Sequence, residues 1–235
     1  MPRPGFSVVE MCLPFHCDCS HYLFGLLLCC MHSKHHTSHS LLIDCGGSFL
    51  VSKFVAYIEN RIPNPTTSSG LGSKGLLEEL LSRLHVIRVF THRELTLALY
   101  ASRDVLSRRP ISFIFFNNIN AFGDLENLTA HPKKKATAEQ ILWCGMLQRL
   151  LRDFNLLCIS IRRCVPRLNC RQQSKGCDSV QSNFPVSASF PFYQESMSSN
   201  WVNCLTHRIE IISCQSQYVS YVKRDSTFQV AIDKR

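Results

Sequence analysis

Two groups of side chains in this 235-residue chain have types and spacings suited to chemistry. The first is basic: Lys133-Lys134-Lys135, then Arg162, Arg163, Arg167, Arg171 and Lys175, the last four at intervals of four. Such runs make sequence-independent, salt-dependent contacts with a phosphate backbone. A plain solvated surface is the competing reading of a lysine run. The second group carries metal-ligand types: Cys12, His16, Cys17, Cys19 and His21, and separately Cys164, Cys170 and Cys177. Neither shows the paired Cys-x-x-Cys knuckles that structural zinc requires, so no metal is expected. His32, His35, His36 and His39 read as a solvated connector, and no local signature marks a Cys–His nucleophile pair.

The charge balance favours the basic group. Lys and Arg outnumber Asp and Glu by 26 to 17, a net +9. Residues 103–175 hold 13 basic and 5 acidic residues, a local +8, whereas the flanking spans are close to neutral. A surplus confined to one span implies a contact surface for an acidic partner. Hydrophobic residues at 45% and charged ones at 18% exclude a disordered tail. Thirteen cysteines, an odd number in a chain of this length, imply reduced thiols and a cytosolic or nuclear setting. The longest apolar run, residues 22–31, falls well short of the ~20 that span a bilayer. Glu10, His16 and Asp18 interrupt any signal-like start. No membrane partner is expected.

The elements that must position these groups alternate. Residues 7–12, 40–44, 84–90, 111–116 and 156–161 read as buried strands. Thr91-His-Arg-Glu94 is a capping box that opens a helix to about residue 107, and Thr137-x-x-Gln140 opens another to about 154. In the second helix Ile141, Leu142, Met146, Leu147, Leu150 and Leu151 recur at helical spacing as a buried face that includes Trp143. Trp201 reads as either packed or a partner anchor, and Cys29, Cys30 and Cys158 read as core. Residues 63–75 and 166–200 are predicted to be a flexible loop and a long mobile loop. Three alternating runs, 208–213, 217–222 and 227–232, are expected to close the sheet as an antiparallel meander. Together these predict a single α/β domain over 1–235, a mainly parallel sheet flanked by helices.

The order of these segments resembles the RecA-like recombinase paralogues of homologous recombination. It is carried by residues 8–31 (VVEMCLPFHCDCSHYLFGLLLCCM), 41–62 (LLIDCGGSFLVSKFVAYIENRI), 91–106, 111–122 (ISFIFFNNINAF) and 150–163 (LLRDFNLLCISIRR). The resemblance is densest over 41–163. It begins at about the first core strand, so elements that the family carries ahead of that strand have no expected counterpart here. The resemblance implies a RecA-like P-loop core, with residues 1–35 as its phosphate-loop region and DNA facing the loops that carry Lys133–Lys135 and Arg162, Arg163, Arg167 and Arg171. It also implies partnership with other recombinase-paralogue subunits, a nuclear location and a role in double-strand break repair.

The nucleotide positions implied by the resemblance are degenerate. Leu13, His16 and Asp18 stand where glycines form the phosphate nest, Cys19 stands for the lysine, and only Ser20 keeps a metal-side hydroxyl. Asp18 adds a like charge: at ~4 Å and an effective dielectric of ~20 it costs about 4 kcal/mol, roughly a thousandfold in affinity. Asn117 replaces the metal-side acid and Gly46 the water-activating carboxylate. No catalytic residue and no cofactor are therefore expected, with Mg²⁺-ATP relevant only if the degenerate site still binds. The reading is then a recombinase-paralogue subunit acting as a DNA-contacting and protein-interaction scaffold, and two others stand beside it: an ATP-binding damage sensor of the same family, and a basic soluble α/β protein unrelated to recombination.

Overall fold

The computed structural model describes residues 7–14, 17–32, 38–61, 73–122, 133–164, 197–211, 218–224 and 227–234, with the backbone alone at 73–74, 133–137 and the last two strands. Eight strands form one sheet: β1 (Ser7–Pro14), β2 (His39–Cys45), β3 (Leu84–Val89), β4 (Ile111–Asn117), β5 (Leu157–Cys164), β6 (His207–Ile211), β7 (Tyr218–Arg224) and β8 (Thr227–Lys234). Their spatial order is β3-β2-β4-β5-β1-β6-β7-β8. The first six are parallel to one another, β7 runs antiparallel to β6, and β8 antiparallel to β7. This is an α/β protein with β1 near the centre of the sheet.

Helices cover both faces because alternate strand residues point to opposite sides. Leu13, Leu42, Phe115 and Ile161 face α1 (Cys19–Met31), α2 (Val51–Arg61) and α3 (Ser73–Ser82), whose Leu23, Phe24, Leu27, Phe54, Ile58 and Leu80 complete one core. Val8, Ile43, Ile114 and Phe116 face α4 (His92–Arg108), α5 (Lys133–Phe154) and α6 (Ser199–Cys204). Each fully buried large apolar side chain contributes roughly 1.5–3 kcal/mol. Trp143 and Trp201 are both buried there with ring centroids 5.5 Å apart, so Trp201 packs instead of anchoring a partner.

Thr91 caps α4 as expected, its Oγ1 accepting the Glu94 N–H, while the Glu94 carboxylate reaches one residue past the cap to accept the N–H of Phe90. α5 ends at Asn155, whose φ of 52° places it in the left-handed region that closes helices.

Several sequence expectations need correction. α5 begins at Lys133, four residues before the Thr137 start, so the three lysines belong to a helix and not to a loop. Ile141 and Leu142 are 50% and 56% exposed: the stripe they extend is wider than the face that meets the sheet. α3 starts within the expected 63–75 loop, and α6 within the expected 166–200 loop, because Ser198 caps the short helix that buries Trp201. Cys158 is core, but Cys29 is exposed on the outer side of α1.

Candidate functional site

In an open α/β sheet ligands bind outside the carboxyl ends of the strands, where neighbouring strands send their connections to opposite faces. β1 leads into α1 on one face and β5 leads towards α6 on the other, with Pro14 and Cys164 in register at their carboxyl ends. β2 and β4 diverge in the same way beside them, with Asp44 level with Asn117. The rule places the crevice there.

The turn after β1 is closed by the Cys17 N–H on the Pro14 carbonyl, at 2.9 Å. Asp18 then caps α1: its Oδ1 accepts the Ser20 N–H at 2.9 Å. The helix end that would hold a phosphate thus has its own carboxylate as acceptor. Asp18 is exposed, so solvent screening reduces the repulsion below the value for a dielectric of ~20. The occupied N–H remains. Leu13 is fully buried in the core on the α1 side and lends no backbone freedom to a nest. Cys19, which the resemblance sets at the lysine position, is buried; its Sγ accepts Arg163 Nε at 3.4 Å. Burial pushes this thiol up, with the Arg163 guanidinium opposing. Ser20 is half-buried. His16 lies outside the described residues.

Asn117 and Gly46, the other two positions that the resemblance singles out, lie at the end of β4 and just after β2. Asn117 Nδ2 donates to Asp44 Oδ1 at 2.8 Å and to Ser48 Oγ at 2.9 Å. Asp44 is fully buried; its Oδ2 accepts the Phe49 N–H and lies 3.7 Å from Arg88 Nε. Asn117 therefore locks the loop after β2. Gly46 begins that loop with φ of +92°, its N–H bonded to the Val89 carbonyl at 2.9 Å. A side-chain carboxylate there would demand a backbone conformation that only glycine adopts readily. Among the described residues no group of three or more His, Cys, Asp or Glu can hold a metal ion.

The basic residues divide. Arg162 is only 1% exposed, so its assignment to DNA is wrong: its Nε lies 3.0 Å from Glu10 Oε1 inside the sheet. Glu10 is the hub of a network the sequence reading missed. It also accepts Arg208 Nε and Nη2, both at 2.7 Å, and Trp201 Nε1 at 2.7 Å. Burial pushes the Glu10 carboxyl up, but Arg162, Arg208, Trp201 and the Cys12 thiol together hold it below its ordinary value. Glu210, also buried, shares the register of Cys12, so two buried acids and two buried arginines sit on β1, β5 and β6. The visible signal was one charge inside an apolar strand, SVVEMCLP, and two alternating charges in HRIEI. Arg163 is half-buried at the crevice, while Arg167 and Arg171 lie outside the described residues.

No family model matches the chain, and the search of curated proteins finds no match. No helix among the described residues is long and apolar enough to cross a membrane.

Proposed function

We propose that this chain is a RecA-like recombinase-paralogue subunit of double-strand break repair by homologous recombination in the nucleus. It serves as a DNA-contacting and protein-interaction scaffold with a decayed nucleotide site. The observation that carries this reading is the capped start of α1: a strand, turn and helix of the phosphate-holding kind, with Asp18 bonded to the N–H of Ser20 where an anion would sit. The six parallel strands followed by two antiparallel ones support a RecA-like P-loop core. Lys133, Lys134 and Lys135 in the first turn of α5 support the DNA contact. Each works against the helix dipole by roughly 0.3–1 kcal/mol, and a phosphate backbone at that end offsets the cost.

The partners are other recombinase-paralogue subunits, packed on the crevice side where a neighbour supplies the nucleotide groups this chain lacks. Capture of the purified chain by those subunits, with and without Mg²⁺-ATP, tests the reading. Stable capture that ignores ATP is expected. Capture that requires ATP bound to this chain overturns the decayed site, and no capture under either condition overturns the scaffold.

A further inference from the structure

The amino ends of strands β2 and β3, opposite the crevice, bring two histidines close to basic side chains. His39 opens β2 and His85 lies on β3, both on the side covered by α4. His39 Nδ1 and His85 Nε2 are 3.0 Å apart, with the rings 13° from parallel and their centroids 5.3 Å apart. The centroid separation exceeds the N···N contact by about two ring radii, so the rings meet edge to edge with one N–H between them. A shared metal ion does not fit, because both lone pairs would have to aim at a point off the N···N line. Two neutral imidazoles joined in this way present one outward N–H and one bare nitrogen. One added proton makes the bare nitrogen a second donor and gives the pair a positive charge.

The charged groups that act on this pair are all basic. Arg109, exposed just past α4, is set beside His39 by the bond from the His39 N–H to the Pro110 carbonyl at 3.0 Å and acts on both rings, and Arg83, at the turn between α3 and β3, acts on His39. Arg83 is engaged by Glu79 and by the Met31 carbonyl. Asp104, the acid near this end of α4, pairs with Arg108 at 2.8 Å. Arg109 makes no ion pair among the described residues. Burial first, then these neighbours, hold both imidazoles below their ordinary value.

We infer that His39, His85 and Arg109 form an oxyanion-binding cluster for a phosphate-type group. The Arg109 guanidinium supplies the forked donor that suits a tetrahedral oxyanion, and an outward imidazole N–H supplies a further bond. The bound anion offsets the burial and the basic neighbours that together keep the pair neutral, so binding takes up a proton and affinity rises by up to about tenfold for each unit of falling pH. The phosphate is either a terminal one or that of a nucleic-acid backbone. This inference stands apart from the recombination reading, which uses neither histidine nor Arg109.

The test is a histidine-resolved NMR titration of the full chain between about pH 5 and 8, in chloride and in sulfate at matched ionic strength. Sulfate keeps its charge over that range, so any change reports the protein. The titration midpoints of His39 and His85 are expected to rise in sulfate, and Arg109→Gln, an exposed change, to abolish the rise. Unchanged midpoints in sulfate, or an equal rise in Arg109→Gln, overturn the cluster. Short thymidine oligonucleotides with and without a 5′-phosphate then assign the source. A rise with both supports the backbone, a rise with the phosphorylated one alone supports a terminal phosphate, and sulfate alone supports a free anion.

Discussion

Glu10 shows what a single charge does when a sheet closes around it. Its two oxygens serve Arg162, Arg208 and the Trp201 indole, tying β1 to β5, β6 and α6. Glu10→Gln keeps an oxygen for Trp201 but removes the carboxylate charge that faces Arg162 and Arg208, at a cost of about 3–5 kcal/mol. At roughly 2–4 °C per kcal/mol for a chain of this size, the thermal midpoint should fall by about 6–20 °C. An unchanged midpoint by circular dichroism refutes the hub. For the same reason Arg162→Glu reports folding and not DNA contact. The sequence shows Arg162 and Arg163 as equals, because the acid that buries one of them lies 152 positions away in the chain. Leu13, Asn117 and Gly46 stand where the resemblance implies nucleotide-binding groups. The use the molecule makes of Asn117 was not legible in the sequence, since its hydrogen bonds to Asp44 and Ser48 exist only once β2 and β4 pair.

Secondary elements whose signal is local were read well, and those that depend on distant packing were not. The strands over 84–90 and 111–116 and the helix after Thr91 carry apolar runs or caps within a few residues. α6 and the start of α3 hide in Ser-, Asn- and Gly-rich stretches, and burial of Trp201 against Trp143 holds the former. The β2–β3 edge shows a consequence of such pairing for stability. With both His39 and His85 held below the ordinary imidazole value of 6.5, the unfolded chain binds more protons than the folded one at mildly acid pH. The stability of the neutral pair is full above pH 6.5 and is lost as pH falls through the lowered folded values. Urea midpoints in chloride buffer should therefore drop from pH 7.5 to about pH 5.5, and His85→Gln should flatten the drop. A variant whose pH profile matches that of the parent chain places the titrating group elsewhere.

Across the whole molecule internal ion pairs engage some of the basic residues while leaving the net charge as it is. Of the basic residues in 103–175, Arg162 is spent inside the sheet, Arg103 pairs with Asp153 at 3.3 Å, and Arg108 pairs with Asp104. The lysines that open α5 carry the largest concentration of basic residues in the chain outside those internal pairs. If DNA meets the protein there, each contact releases counterions and adds about 0.7 to the salt slope for a single strand. Lys133→Glu with Lys134→Glu should weaken single-stranded DNA binding at low salt and make the slope of log K against log salt shallower by about 1.4. The same replacements put two acids in the first turn of a helix, which the dipole favours, so stability should hold or rise slightly. A loss of DNA binding accompanied by a fall in thermal midpoint would therefore reflect damage to the fold. A shallower slope at an unchanged midpoint isolates the phosphate contacts. An unchanged slope removes the DNA contact from this face of the molecule.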